Sequence, residues 1–184
     1  MMRSLVFSVA VCSVFGSLML WVSISGRAAD DSKEIKIKRA MSAGPPSVTA
    51  KAKIVEMNDK SKMIVLRDGS NGWTCFPGHQ GVIADNPECD DQAAMQWNED
   101  WMAHKPKPSN TRPGVVYMFS GGTDWSATDP WATSGTPIQE PPHWMIMWPF
   151  DPNASGLSDK VKTTGTWIMW PGTPYAHLMI NQKP

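Results

Sequence analysis

Tryptophan and methionine supply most of the large apolar side chains in this sequence. Beyond residue 28, where a signal segment is predicted to end, Leu, Ile, Val and Phe make up 22 of 156 residues, whereas the whole chain has 10 Trp and 13 Met. Such a low aliphatic content indicates disorder only when the net charge is high, and here the formal net charge is zero. The core must therefore be built largely from Trp and Met, and the balanced charge argues against a nucleic-acid partner.

Residues 1–28 have the pattern of a secretory signal peptide. Arg3 precedes an apolar stretch from Leu5 to Ile24, and small residues stand one and three positions before the expected cleavage after Ala28. We expect an exported protein, periplasmic or extracellular, with no stable membrane span after cleavage. An uncleaved membrane anchor is the alternative, since an apolar stretch of about 20 residues can span a bilayer.

Cys75 and Cys89 are the two cysteines that remain after removal of this segment. An even number of cysteines in an exported chain favours a disulfide. Closing a loop of about 15 residues would stabilise the fold by about 3 kcal/mol. Two buried thiols are the alternative, and the spacing lacks the close cysteine pairs of a zinc site.

Alternating polar and apolar residues predict a mostly antiparallel sheet. The segments VTAKAKIVEM and KMIVLRDG are expected to form a hairpin, and a short strand is expected around Trp73 and Cys75. Further strands are predicted in the segments VVYMFS, HWMIMWPF, TGTWIMWP and YAHLMIN. One helix is predicted from Asp90 to His104, with Asp90 as its cap and apolar residues along one side.

The sequence therefore predicts an α+β fold, a mostly antiparallel β-sheet with one amphipathic helix packed on it. The domain organisation is expected to be a signal peptide over 1–28, a flexible N-terminal arm over 29–47 and a single globular domain over 48–184. The arm is expected because its residues are polar, then basic, then Gly-Pro-Pro.

Residues 121–142 form a long segment without periodicity, which is more often functional than a plain connection. Aromatic side chains beside short polar groups are suited to binding a sugar or another small polar ligand. We therefore predict a binding or interaction module rather than an enzyme, with an unknown small molecule or glycan as partner. The predicted ligand-binding residues are Asp124, Trp125, Asp129, Trp131 and His143. The alternative is that this loop covers the sheet and uses its indoles to fill the core.

A soft-metal site is an alternative function. His143 and Met145 form one His-x-Met pair, and His177 and Met179 form a second. Residues two apart face the same side of a strand, so neighbouring strands would bring imidazole and thioether groups together, a ligand set that suits Cu(I). Copper is the one cofactor that the sequence suggests. Methionines that fill a core would give the same pattern.

A hydrolase is the other alternative, with Asp124, Asp129, His143 and His177 as candidate acid and base groups. The sequence has no G-x-S-x-G, no H-E-x-x-H and no phosphate-binding loop. Both aspartates also suit turns, so no catalytic residue is assigned.

Four sequence blocks resemble a family of exported bacterial proteins without an assigned function. The blocks are NGWTC, TDPWATSGTP, PPHWMIMWPFDP and GTPYAHLMIN, and the resemblance spans nearly all of the chain beyond residue 28. It implies bacterial export and a single compact domain. It brings no catalytic residues to this sequence.

Overall fold

The computed structural model describes residues 31–58 and 62–182. Ten strands are assigned in this part of the chain: β1 (Lys53–Met57), β2 (Met63–Arg67), β3 (Thr74–Phe76), β4 (Glu88–Asp90), β5 (Gly114–Met118), β6 (Gly122–Asp124), β7 (Ile138–Glu140), β8 (His143–Met147), β9 (Gly165–Met169) and β10 (His177–Asn181). The helices are α1 (Lys33–Met41), α2 (Pro46–Thr49), α3 (Gln92–Met102) and α4 (Pro152–Ser155). The predicted cleavage site and signal peptide lie outside the described residues.

Eight of the strands form one sheet, in the order β2-β1-β3-β4-β5-β8-β10-β9, and β6 pairs with β7 in a second sheet. The pairs are antiparallel except for β1 with β3, which are parallel. The predicted α+β fold with a mostly antiparallel sheet is therefore confirmed. In the described ranges, no helix has the length and apolar character needed to cross a membrane.

The amphipathic helix α3 packs on the sheet as predicted, but its cap differs. Asp90 is the last residue of β4, and the cap is Asp91, whose side chain accepts a hydrogen bond from Ala94 N at 2.8 Å. Asp90 instead points into the protein, because its position in the strand buries its side chain completely. The helix turns Ala94 and Trp97 toward the sheet, where both are buried.

The segment before residue 48 differs from the expected flexible arm. Residues 31–47 contain α1 and the start of α2, and Ala40 and Ala43 are fully buried beside the disulfide. The compact unit therefore begins at Asp31 rather than at Val48. Small alanines make this contact, and they carry little hydrophobic signal in the sequence.

Strands β5, β8 and β10 alternate strictly between buried and half-buried residues. Their buried residues face α3 and form a core of methionine and aromatic side chains, which confirms the composition argument. This core cluster consists of Ala94, Trp97, Val116, Met118, Met145, Met147, Trp167, Met169, Trp170, Tyr175 and Met179. We call this side of the sheet the core face.

The disulfide between Cys75 and Cys89 is present, as predicted. The two cysteines lie directly opposite each other on β3 and β4, and both are fully buried. The disulfide therefore joins two adjacent strands next to Glu88 and Asp90, which flank Cys89 on β4.

Candidate functional site

A cavity of about 180 Å³ lies between α3 and the core face of the sheet. Eight of the ten methionines in the described residues line it, at positions Met57, Met63, Met95, Met102, Met118, Met145, Met147 and Met169. Met63 and Met102 are 42% and 48% exposed, so the cavity reaches the protein surface at these side chains. The remaining lining includes three indoles, one imidazole and a group of carboxyl groups.

Five acidic side chains line this cavity. Asp85 Oδ2 lies 2.5 Å from His79 Nδ1, and the other four are Glu88 and Asp90 from β4, Asp124 from β6 and Glu140 from β7. Asp90 is fully buried and Glu140 is 8% exposed. Asn98 donates a hydrogen bond to Asp90 Oδ2 at 2.7 Å. Within the described residues, Asp90 Oδ1 and Glu140 Oε1 have no hydrogen-bond partner, and none of the four carboxyl groups forms an ion pair. We call these four side chains the carboxyl cluster.

The carboxyl cluster has raised pKa values. Burial raises the pKa of Glu140 to about 8, and the charges of Asp124 and Glu88 add to the effect. Burial, followed by the charge of Asp85, raises the pKa of Glu88 to about 7. Burial also raises the pKa of Asp90 well above its usual range, and it raises the pKa of Asp124. The cluster is therefore partly protonated at neutral pH, because no Lys or Arg in the part of the chain that the structure describes lines the cavity to stabilise its ionised form.

Asn86 holds β6 and β7 above β4. Its side-chain amide donates to Thr123 O at 2.9 Å and accepts from Thr123 N at 3.0 Å. Gly122 makes the approach possible, because a Cβ there would lie 2.7 Å from Asn86 Cγ and 3.0 Å from Met118 Cε. This contact brings Asp124 and Glu140 to the same cavity as the carboxyl groups of β4.

Three stacked indoles line another part of the cavity. Trp170 lies 5.9 Å from both Trp97 and Trp101, with interplanar angles of 10° and 18°. Trp97 Nε1 is buried and has no hydrogen-bond partner among the described residues. The cavity thus presents aromatic faces and one N–H donor in addition to carboxyl groups.

His143 and His177 are buried neutral imidazoles held by backbone carbonyls. His143 Nδ1 lies 2.8 Å from Pro141 O, and His177 Nδ1 lies 3.1 Å from Tyr175 O. A carbonyl only accepts hydrogen bonds, so each Nδ1 carries the proton and each Nε2 keeps a free lone pair. Burial lowers the pKa of both imidazoles to about 4, and the charge of His143 contributes to the shift of His177.

The structure does not bring the four residues predicted to bind copper together at one point of the sheet. Met145 lies opposite Met179, but His143 lies opposite Asn181. The two histidines are therefore displaced by four residues, about 13 Å along the strands. Their rings bond to carbonyls at opposite ends of the strand pair. Of the four, Met145 and His177 line the cavity, whereas His143 and Met179 do not.

Of the residues predicted to bind a small ligand, Asp124 lines the cavity. Asp129 Oδ1 accepts a hydrogen bond from Trp131 N at 3.0 Å, as expected of a turn residue. Trp125 is half-buried and does not line the cavity. His143 is fully buried.

The loop around Trp131 covers α3 by means of indole hydrogen bonds. Trp131 is 38% exposed, stacks on His104 at 5.2 Å and donates from Nε1 to Trp101 O. Trp101 Nε1 in turn donates to Pro130 O at 2.8 Å, and Trp170 Nε1 donates to Ser126 O at 2.9 Å. These contacts favour the alternative interpretation, in which the loop and its indoles cover the core rather than bind a ligand.

The residues predicted for a hydrolase do not form an acid–base pair in the structure. Each imidazole uses its Nδ1 for a backbone carbonyl, and Asp129 serves its own turn. In the ranges that the structure describes, no group of three or more His, Cys, Asp or Glu side chains is placed to hold a metal ion.

Sequence reasoning missed the carboxyl groups of Glu88, Asp90 and Glu140, and it did not include the thioethers of Met147 and Met169 among the metal ligands. A weak signal was available for β4, because Glu88 and Asp90 alternate around Cys89 and alternating residues share one face of a strand. A strand of three residues is too short for this pattern to be distinguished from a loop. The thioethers could be identified only once the strand register was known.

Comparisons with known proteins do not add a family to this description. No protein-family model, no curated protein and no solved structure matches the chain. The resemblance of the four sequence blocks to exported bacterial proteins stays a prediction. The assignment of function therefore rests on the chemistry of the cavity.

Proposed function

We propose that this protein binds a small organic ammonium ion in the methionine-lined cavity. The observation that supports the proposal is the pair of buried oxygens, Asp90 Oδ1 and Glu140 Oε1, which have no partner in the described residues. Both side chains line the cavity, and no Lys or Arg of the described chain does so. Buried charges are normally paired, so a cationic ligand would supply the missing partner.

The rest of the lining suits the apolar part of such a ligand. The faces of Trp97, Trp101 and Trp170 attract cations through their quadrupoles, most strongly where water is excluded. Methionine side chains adapt to ligands of different shape. The free Trp97 Nε1 proton would suit a hydroxyl or other acceptor carried by the ligand.

Binding is expected to be linked to proton release. An ammonium ion favours the ionised form of Glu88 and Glu140, whose pKa values of about 7 and about 8 keep them partly protonated in the free protein. The affinity for the cation should therefore increase between pH 6 and pH 9, in the range where these groups ionise.

The place of action that we propose is outside the cytoplasm. The buried Cys75–Cys89 disulfide supports this location, because disulfides persist mainly in oxidising compartments. The signal-like pattern of residues 1–28 points to the same location.

Isothermal titration with choline, tetramethylammonium and butylammonium tests the proposal. The matched control is 3,3-dimethylbutan-1-ol, in which a neutral carbon replaces the nitrogen of choline. We expect at least one of the ammonium ions to bind, choline to bind more tightly than its neutral analogue, and the difference to grow with pH. Equal binding of choline and the neutral analogue, or no binding of any of the three ions, would overturn the proposal.

A pair of variants tests whether the carboxyl cluster supplies the charge. Glu140→Gln keeps the size of the side chain and removes its charge, and we expect about tenfold weaker choline binding at pH 8.5, or about 1.4 kcal/mol. Glu99→Gln is the control, because Glu99 is an exposed residue of α3 that does not line the cavity. Its affinity should equal that of the unmodified protein.

A further inference from the structure

We propose that Met147, His177 and Met169 form a binding site for Cu(I). The three side chains lie next to one another on the core face of β8, β10 and β9, and we call them the Met-His-Met row. All three line the cavity. The carboxyl cluster belongs to other strands, β4, β6 and β7, and the site goes beyond the ammonium binding proposed above.

Strand register places the three side chains side by side. His177 pairs directly with Met169 across β10 and β9. Between β10 and β8, Leu178 pairs with Ile146, and the same register continued by one residue places His177 beside Met147. Directly opposite residues on neighbouring strands have Cβ atoms about 5 Å apart. The imidazole therefore lies between two thioethers that face the same space.

His177 has the environment of a metal-binding imidazole. Its Nδ1 proton is donated to Tyr175 O at 3.1 Å, which fixes the ring and leaves the Nε2 lone pair as the free acceptor. Histidines that bind metals typically donate their other N–H to such a carbonyl. The residue is 2% exposed, and its Nε2 makes no hydrogen bond within residues 31–58 and 62–182.

The donor set selects the kind of metal. Two thioethers and one neutral imidazole are soft or intermediate ligands without charge, and thioethers favour Cu(I) over Mg²⁺ or Ca²⁺. Zinc sites use thiolates, imidazoles and carboxylates instead, and no such group of three is present in the described part of the chain. The neutral ligands also favour a singly charged ion such as Cu(I), because burying an uncompensated second charge would cost more free energy.

Two indoles enclose the row on the side of α3. The ring centres of Trp170 and Trp97 lie 4.9 Å and 5.5 Å from that of His177, and both are nearly perpendicular to it. Both indoles are almost completely buried. They would limit the access of water and oxidants to a bound Cu(I) ion, and an indole face can also stabilise a nearby cation.

Anaerobic Cu(I) titration in competition with bicinchoninate tests the site. All proteins carry Cys12→Ser, so that the cysteine outside the described residues cannot bind the metal. We expect Met147→Leu and Met169→Leu each to weaken Cu(I) binding about tenfold, and the double variant about 100-fold. Met179→Leu is the matched control, because Met179 is a buried methionine of the same sheet that does not line the cavity.

Leucine is close to methionine in volume, so these variants should fold normally, and thermal unfolding verifies this. His177→Ala removes the imidazole and should reduce binding further than either methionine variant. X-ray absorption of the copper-loaded protein should show two sulfur donors and one nitrogen donor. Equal Cu(I) affinity of the Met147→Leu/Met169→Leu and Met179→Leu proteins, or copper without sulfur donors, would overturn the proposal. Choline titration of the same proteins tests the ammonium site separately.

Discussion

Gly114 of β5 lies directly against the backbone of Ala94 in α3. A Cβ on Gly114 would sit 2.3 Å from Ala94 N and 2.6 Å from Ala94 Cα. The absence of a side chain at this glycine therefore allows the first turns of α3 to lie close to the sheet. Since Trp97 follows Ala94 by about one turn, this contact also sets the height of the indole above the cavity.

We predict that Gly114→Ala destabilises the protein by about 3 kcal/mol, because the methyl group would push α3 away from the sheet. Urea unfolding measures the loss, and a red shift of tryptophan emission would report the displacement of Trp97. Ala94→Gly should not restore stability in the double variant, since the contacted atoms belong to the backbone. Unchanged stability of Gly114→Ala would contradict the prediction.

Asp100 near the end of α3 is predicted to contribute to stability through its hydrogen bonds. The carboxylate accepts bonds from Ser109 N at 2.5 Å, Ser109 Oγ at 2.6 Å and Lys105 Nζ at 2.5 Å. Burial alone would raise its pKa, but these bonds outweigh burial and lower the pKa to about 2. Asp100→Asn turns an NH₂ group toward these donors and should cost about 2 kcal/mol.

The sign of the pH dependence follows from the lowered pKa of Asp100. Its stabilising contribution is present above about pH 4 and is lost as the pH falls toward 2. Urea unfolding at pH 7 and pH 3 should therefore show a smaller difference between the unmodified protein and Asp100→Asn at pH 3. Glu99→Gln, at an exposed neighbouring position, should change stability by less than about 0.5 kcal/mol.

The strands β8 and β10 and the helix α3 were predictable because each has a clear hydrophobic period. β8 and β10 alternate perfectly between two faces, and α3 turns two indoles toward the core. The first helix was missed because its buried residue is Ala40, and the buried residue that follows the helix, Ala43, is an alanine too. These small residues are equally common on surfaces, so their burial is decided by packing that the local sequence does not reveal.

The carboxyl cluster was not predictable because its burial depends on distant parts of the chain. Glu88 and Asp90 have the sequence appearance of surface residues, and they become cavity residues when β6 and β7 fold over β4. That arrangement depends on Asn86 and Gly122, which are far apart in sequence. The expected His-x-Met pairs do occur on neighbouring strands, but the register displaces the two histidines and places Met147 and Met169 beside His177 instead.

The disulfide is predicted to contribute about 3 kcal/mol, since it closes a loop of about 15 residues. The Cys75→Ala/Cys89→Ala variant should therefore unfold at a lower urea concentration than the unmodified protein. Choline titration of the folded variant shows whether the disulfide also holds Glu88 and Asp90, the neighbours of Cys89, in place. A loss of stability below about 1 kcal/mol would contradict the prediction.

The buried carboxyl groups are predicted to make the ligand-free protein less stable at alkaline pH. Glu88 and Glu140 have folded-state pKa values of about 7 and about 8, above the ordinary value of 4.5. Their stabilising contribution is complete below pH 4.5 and is lost as the pH rises through these values. The histidines His143 and His177 act oppositely, because their pKa values are lowered from 6.5 to about 4. Their contribution is complete above pH 6.5 and is lost toward pH 4.

Above pH 6.5 the contribution of the two histidines is constant, so of these four residues only Glu88 and Glu140 change the free energy of unfolding with pH. We expect the free energy of unfolding to fall by about 2 kcal/mol between pH 6.5 and pH 8.5, measured by urea unfolding. Glu140→Gln should remove most of this fall, because an amide does not ionise, whereas Glu99→Gln should retain it. Saturating choline should also reduce the fall, since a bound cation stabilises the ionised carboxylates. A free energy of unfolding that rises over this range would contradict the burial of an uncompensated carboxyl cluster.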